Sequence, residues 1–145
     1  MTTSYFCVFH PSDIHAISES GSQNIYLNGK EILSLNDFYK ILSTKLQFDS
    51  NFGNNLDALY DSLSDLSWID MLQVNIIIEN TNYFLKNESV DTKSNVILTL
   101  YDAAESISSD PIFEDEPSRS LIFYFEHTQW LEDIMEENAL IWQYI

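Results

Sequence analysis

Basic residues are scarce in this sequence. Only 6 of its 145 residues are lysine or arginine, against 23 aspartates and glutamates, so the formal net charge is −17 at pH 7. A field of this sign repels nucleic acid and anionic membranes, and it speeds association with a basic partner. Direct binding of RNA, DNA or a membrane is therefore disfavoured, whereas competition with nucleic acid for a basic cleft is favoured.

Cysteine is almost absent as well. The single thiol, Cys7, excludes an intrachain disulfide and favours a reducing compartment. Since Cys7 lies between Phe6 and Val8, we expect it to be a small buried hydrophobe rather than a reactive group. The sequence opens without a signal-peptide pattern, and no apolar run approaches the ~20 residues of a membrane span. We therefore expect a soluble, cytoplasmic protein.

The residue patterns of common catalytic sites are also missing. His10, His15 and His127 are scattered, no His or Cys stands at metal-ligand spacing, and no glycine-rich loop could hold a phosphate. Asp57 and Asp61 could in principle form the carboxylate pair of a glycoside hydrolase, but nothing else indicates a sugar cleft. We expect neither catalysis nor a metal or other cofactor.

The sequence does contain enough apolar residues for a folded domain, which we expect to span 1–145. Hydrophobic residues make up 45% of the chain and aromatic residues 14%, which is too apolar for a disordered acidic tail. Strand-like segments alternate with amphipathic segments, and this order predicts an α/β fold with a small, mostly parallel sheet. The predicted strands are 4–9, 24–27, 71–79 and 121–125. The predicted helices are 34–46, a segment after Gly53, 91–108 and 129–143, with an acidic loop at 110–118.

The segment 51–63 predicts a loop that turns at Gly53 and then enters a helix. Gly53 is one of only three glycines, so we expect a backbone position that requires glycine. Asn54 or Asn55 can cap the helix, because a short side-chain oxygen there accepts a hydrogen bond from the first turn. Four residues at helical spacing predict a buried face, namely Leu56, Leu59, Leu63 and Leu66.

The opposite face of this helix carries Asp57, Asp61 and Asp65, with Tyr60 beside them. Carboxylates four residues apart repel each other by roughly 0.2–0.5 kcal/mol per pair, and only Asp57 lies close enough to the positive end of the helix dipole to be compensated. The row is either a solvated polar face or a preformed negative surface for a cationic partner. A second acidic row, at 132–137, is either the solvated face of the last helix or a further partner contact.

The ten residues 52–61 resemble the signature of the barstar family, the intracellular inhibitors of barnase-type ribonucleases. That signature is an aromatic residue, Gly, a polar residue, Asn-Leu-Asp-Ala-Leu, an aromatic residue and Asp, and the surrounding order of strands and helices also matches. The resemblance implies a barstar-like three-stranded parallel sheet packed with helices over residues 24–127. Residues 1–23 would then add an N-terminal strand, and residues 128–145 would add a C-terminal helix.

The resemblance also implies a partner-binding site on this helix and on the loop before it. By position, Asp57 and Asp61 are the family's two principal carboxylates, and the one at Asp61 fills the phosphate-binding site of the nuclease. Asn51 and Tyr60 hold positions of flanking contacts. The remaining expected contacts are Phe52, Gly53, Asn54 and Asp102, with Glu105 as the alternative to Asp102.

Three positions depart from the family pattern. Asn51 stands where an aromatic residue is usual, Tyr60 where Trp is usual, and Ser62 where Cys is common. A changed aromatic anchor changes an expected hot spot. We therefore expect the partner to be a nuclease toxin other than barnase, for which this chain is the immunity protein.

The expected mechanism is occlusion of a basic active site by carboxylates that mimic phosphate. Alanine substitution should weaken binding most at Asp61, less at Asp57 and little at Asp65. The alternative function is an acidic protein–protein interaction module whose target is not a nuclease.

Overall fold

Five parallel strands form one sheet in the computed structural model, which describes residues 4–17, 20–109 and 118–145. The strands are β1 (Phe6–Phe9), β2 (Gln23–Asn28), β3 (Gln73–Glu79), β4 (Ser120–Glu126) and β5 (Trp142–Tyr144). Their order across the sheet is β2-β3-β4-β1-β5, and every neighbouring pair is parallel. The predicted α/β class with a parallel sheet is confirmed.

Helices connect most of these strands. The α-helices are α1 (Leu35–Lys45), α2 (Leu56–Leu63), α3 (Val90–Ser109) and α4 (Gln129–Glu137), and short 3-10 helices cover Pro11–Ala16 and Gly29–Glu31. The acidic loop expected at 110–118 falls, except for its last residue, outside the described residues. No helix within the described part of the chain combines the length and the apolar content needed to cross a membrane.

The three expected core strands are β2, β3 and β4, and the N-terminal strand extends the same sheet. β1 pairs with β4 in a register that places Phe6 opposite Phe123. Both rings are fully buried and meet edge to face at 5.8 Å between centroids. The first strand is therefore part of the main core.

β3 lies inside the sheet and is covered on both faces, as its unbroken apolar run predicts. Ile76 and Ile78 point into the large core beneath the helices. Ile77 points to the opposite face, where it packs with Phe9 and with Ile17, a residue just beyond the first 3-10 helix. Ile76, Ile77 and Ile78 are all fully buried.

The expected helix at 129–143 is wrong in its second half. α4 ends at Glu137 because Ala139 adopts a left-handed backbone conformation, with φ of 53°. The N–H of Ala139 then bonds to the Glu136 carbonyl at 3.2 Å, and that of Leu140 bonds to the Met135 carbonyl at 2.9 Å. These two bonds form a Schellman motif, which closes the helix and redirects the chain. Residues 142–144 run as β5 along the free edge of β1.

The cysteine has the environment expected from the sequence. Cys7 lies in β1 and is only 3% exposed. Burial raises the pKa of its thiol, although a weak hydrogen bond from Gln143 acts in the opposite direction. A raised pKa keeps the thiol protonated and therefore poorly nucleophilic.

Candidate protein-binding site

The loop between α1 and α2 is held by aromatic side chains. Phe52 packs against Tyr39 of α1, with ring centroids 5.8 Å apart, and against Phe48, with centroids 5.1 Å apart. Tyr39 is buried, and desolvation, with the nearby Glu88, raises the pKa of its phenol. The predicted contact residue Phe52 is thus half-buried and acts as an anchor of the loop.

Hydrogen bonds within the loop fix its turn. The Asp49 carboxylate accepts a 2.8 Å bond from the backbone N–H of Asn51, and the Asp49 carbonyl accepts one of 2.9 Å from the N–H of Phe52. Asn51 itself is exposed. An aspartate two residues before the N–H that it binds is a usual way to stabilise such a turn.

The unusual backbone conformation expected at Gly53 occurs instead at the next residue, Asn54. Gly53 has an ordinary negative φ, whereas Asn54 adopts the left-handed conformation with φ of 49°. Asparagine tolerates that conformation better than most residues. Gly53 instead provides room, because a Cβ there would lie only 3.0 Å from the side-chain nitrogen of Asn55.

Asn55 is the residue that caps α2. Its Oδ1 accepts a 2.7 Å hydrogen bond from the N–H of Ala58, and its Nδ2 donates a 3.1 Å bond to the Gly53 carbonyl. One side chain therefore satisfies a free donor of the first helical turn and ties the helix to the preceding loop.

The apolar face of α2 is as expected over two turns. Leu59 and Leu63 are fully buried, while Leu56 at the start of the helix is half-buried. The helix ends at Leu63, and Leu66 reaches the core from a left-handed position with φ of 51°. The face is therefore fixed by core contacts, but its last leucine lies beyond the helix.

The acidic face of α2 is open to solvent. Asp57 and Asp61 are exposed, and Tyr60 is 36% exposed beside them. Asp65 is exposed as well but lies in the turn after the helix, not on the helix as expected. Among the described residues, no lysine, arginine or histidine nitrogen lies within 4 Å of these three carboxylates. The row therefore lacks an intramolecular countercharge.

The later acidic candidates lie on the helix that packs against α2. α3 buries Ala103 and Ala104 in the core and is in contact with α2. Asp102 and Glu105 are both exposed and lie about one turn apart on the same helix. Both residues therefore lie on the helix that packs beside the acidic row, and both stay candidates for the additional contact.

The segment after α2 is fixed by Arg119, the residue just before β4. Its guanidinium donates hydrogen bonds to the carbonyls of Leu66, at 3.0 Å, and Ile69, at 2.8 Å. Within the same segment, Trp68 donates its indole N–H to the Leu46 carbonyl at 2.7 Å. These contacts place Trp68 beside the acidic row, a position that the sequence analysis did not identify.

A surface depression of about 420 Å³ lies where these segments meet. We call it the Asp61 groove, and it is lined by Gln47, Asp49, Asp61, Ser62, Asp65 and Trp68. Asp49 and Trp68 were missed as site residues because each contributes from a loop outside the acidic helix. The only sequence signal was the rarity of tryptophan, which occurs three times in the chain.

The chemistry available at this surface is hydrogen-bond acceptance by fixed negative charges. No group of three or more His, Cys, Asp or Glu side chains in the described residues is arranged to hold a metal ion. His10 and His127, which the sequence suggested were scattered, do come together, with ring centroids 5.5 Å apart. They lie at the ends of β1 and β4.

Comparison with protein-family models gives one finding for this chain. Residues 22–124 match the family model described as Barstar (barnase inhibitor). The match includes α1, α2, α3 and the loop before α2, and it leaves out β1, α4 and β5. A search of curated proteins finds no match to the sequence.

Proposed function

The chain belongs to the barstar family, and we propose that it inhibits a ribonuclease by placing carboxylates of α2 in the enzyme's active site. In this proposal Asp61 occupies the phosphate-binding position, and Asp57 pairs with a cation beside it. Asn51, Phe52, Gly53, Asn54 and Tyr60 surround the two carboxylates, and Asp102 contributes from α3.

The observation that carries the proposal is the open acidic row on α2. Asp57 and Asp61 are exposed on a helix whose other face is locked into the core by Leu59 and Leu63. Preorganised carboxylates without an intramolecular countercharge lose no internal ion pair on binding. They can therefore form charge-assisted hydrogen bonds with the arginine, lysine and histidine side chains of a ribonuclease.

Charge also accounts for the kinetics that we expect. A net charge of −17 attracts a basic enzyme over long range, which raises the association rate at low salt. The few charge pairs that are buried on docking slow dissociation. Affinity should therefore fall as salt rises, mainly through slower association.

The partner that we propose is a nuclease toxin of a toxin–immunity pair, with this chain as the cytoplasmic immunity protein. Asn51 and Tyr60 support a partner other than barnase, because they change two positions at which the family usually has an aromatic residue and tryptophan. Both side chains are exposed beside the carboxylates, so the change alters the shape of the contact surface.

Co-expression and inhibition test this proposal together. The product of the gene next to this one should be toxic alone and tolerated when this chain is co-expressed. Purified chain should then abolish RNA cleavage by that product at a one-to-one ratio, and barnase should be inhibited less strongly. Association should be measured over a range of salt concentrations by stopped flow.

The control for charge alone is the Asp133→Ala variant, which removes an aspartate from α4 and leaves α2 unchanged. It should inhibit as well as the parent chain, whereas Asp61→Ala should not. The proposal is overturned if no ribonuclease in this set, including barnase, is bound or inhibited. Equal inhibition by the two variants would refute the assignment of the site to α2.

A further inference from the structure

The Asp61 groove combines an aromatic wall with a carboxylate rim. Trp68 is 40% exposed and forms part of its lining. Asp61 contributes from the last turn of α2, Asp65 from the turn that follows the helix, and Asp49 from the loop that precedes it. Three separate segments thus converge on one depression, which the sequence pattern of the acidic helix does not include.

The aromatic wall is held in one orientation. The indole N–H of Trp68 is bound to the Leu46 carbonyl at 2.7 Å, and its ring meets Phe48 edge to face with centroids 6.1 Å apart. Phe48 in turn packs on Phe52 beneath the loop. A ring that is fixed in this way presents its exposed part to a ligand with little loss of conformational entropy.

The groove lacks a countercharge of its own. None of its lining residues is basic, and Lys45, which lies on the neighbouring turn, donates its ammonium to the Tyr26 carbonyl. The guanidinium of Arg119 lies outside the lining and is bound to backbone carbonyls of the segment after α2. Two of the three rim carboxylates, Asp61 and Asp65, have no ion-pair partner within 4 Å among the residues that the structure describes. The lining therefore complements a cation that also has a flat apolar surface.

We infer that the groove receives an arginine side chain of the nuclease, with its guanidinium against Trp68 and its N–H groups directed to Asp61 and Asp65. A guanidinium is planar and weakly hydrated, stacks on aromatic rings and binds carboxylates in a forked geometry, whereas an ammonium does none of these as well. This inference rests on the proposed function, because it assigns a second anchor within the same interface.

The groove gives Asp65 and Trp68 roles that the acidic row alone does not. Asp65 was expected to contribute little, since it lies beyond the two family carboxylates. As part of the rim, it should contribute a measurable share of the affinity for an arginine. Asp61 would then serve two cations, one on the helix face and one in the groove.

Titration with N-acetyl-arginine amide tests the groove without any nuclease. At low salt we expect saturable shifts in ¹H–¹⁵N spectra that centre on the Trp68 indole and on Gln47, Asp61 and Asp65. The Asp65→Asn variant should weaken binding of this probe by about threefold or more, as loss of one exposed charge contact permits. N-acetyl-lysine amide, of equal charge, should bind more weakly than the arginine probe.

Two matched variants complete the test. Asp70→Asn removes one exposed charge from the following loop, outside the groove lining, and should leave the probe affinity unchanged. Trp68→Leu removes the aromatic wall, and Asp65→Asn keeps the test informative if Trp68→Leu does not fold. The inference is overturned if the shifts are spread evenly over acidic residues, if lysine binds as well as arginine, or if Asp65→Asn and Asp70→Asn behave alike.

The outcome for the groove is separable from the outcome for the proposed function. If a ribonuclease is inhibited and neither Asp65→Asn nor Trp68→Leu changes its dissociation rate, inhibition stands and the groove assignment fails. If the arginine probe binds in the groove and no ribonuclease is inhibited, the groove stands as a site for arginine and the proposed function fails.

Discussion

Two short helices of this protein carry acidic rows, and they differ in what their carboxylates contact. In α4, Glu132 lies 3.0 Å from the ring nitrogen Nε2 of His127, and Asp133 accepts a 2.8 Å hydrogen bond from Gln129. In α2, Asp57 and Asp61 have no such partner among the described residues. Glu132 and Asp133 of α4 therefore bind groups of the same chain, whereas the carboxylates of α2 stay available to another molecule.

The apolar faces of the two helices do not explain this difference. α4 buries Leu131, Ile134 and Met135, and α2 buries Leu59 and Leu63. Both helices are thus fixed to the core by the same hydrophobic effect. What distinguishes them is their neighbours, because α4 starts next to the carboxyl end of β4 and its histidine.

The buried face of α4 also decides how a second contact at 132–137 can be tested. Deleting 128–145 would remove α4 and β5, expose the core beneath them and uncover the edge of β1. Lost affinity in such a deletion would report misfolding rather than a missing contact. Point substitutions on the exposed side of α4 avoid this problem.

Among substitutions in these two helices, Asp61→Ala should weaken binding of the ribonuclease most. We expect the Kd for the inhibited ribonuclease to rise by at least about 30-fold, the ~2 kcal/mol that characterises a hot spot. The melting temperature should barely change, because the side chain is exposed and makes no intramolecular ion pair. Calorimetric titration and thermal melts, with Asp133→Ala as the control, separate these two effects.

Asp57→Ala should have an intermediate effect. We expect roughly a tenfold rise in Kd, together with a loss of ~0.3–1 kcal/mol in the free energy of unfolding, because Asp57 lies in the first turn of α2 and favours the helix dipole. Denaturant unfolding measures the second quantity. A Kd effect larger than that of Asp61→Ala would reverse the roles proposed for the two carboxylates.

Glu132→Gln should affect stability and leave binding unchanged. The pair with His127 is partly exposed, with side-chain exposures of 33% and 23%, so we expect a loss of at most ~1 kcal/mol in the free energy of unfolding. The matched control is Glu137→Gln, on the exposed side of the same helix. A weaker affinity for the ribonuclease in either variant, at unchanged stability, would instead show a second contact at 132–137.

The smallest expected effect is a shift in the pKa of the Tyr144 phenol, in β5. Desolvation raises its pKa above 10.0, and the neighbouring carboxylates Glu132 and Glu136 raise it further. Since the folded protein favours the neutral phenol, the resulting stabilisation is complete below about pH 10 and is lost as pH rises through the folded-state pKa. The double variant Glu132→Gln/Glu136→Gln should shift this titration to lower pH.

Absorbance of the tyrosinate form follows that titration, and Tyr144→Phe identifies the signal. An Asp57→Asn/Asp61→Asn variant serves as the control, because the two carboxylates that it removes do not contribute to the pKa of Tyr144. If both double variants shift the titration equally, overall charge rather than the local α4 carboxylates controls it.

Local sequence signals predicted most of the elements. Ser34 and Asp37 form a capping box at the start of the predicted helix 34–46, in which Ser34 Oγ accepts a hydrogen bond from the N–H of Asp37 at 3.1 Å. Asn55 caps α2, one of the two alternatives that its short polar side chain allowed. These features depend on residues within about one turn of each other, so the sequence pattern contains them fully.

The missed features depend on residues far apart in the chain. β5 has only three residues and forms because the edge of β1 is free to pair with it. Trp68 joins the Asp61 groove through its bond to Leu46, a residue 22 positions earlier. Neither relation leaves a periodic signal in the sequence.

The sequence by itself determined the strong negative charge, the α/β class and the helix that carries Asp57 and Asp61, because composition, hydrophobic period and capping act locally. Only the tertiary structure decided what surrounds the α2 carboxylates. It placed Trp68 and the loop of Asp49 beside Asp61, with no basic residue in the groove lining. The physical reason is that countercharge and groove shape depend on which segments the folded sheet places together.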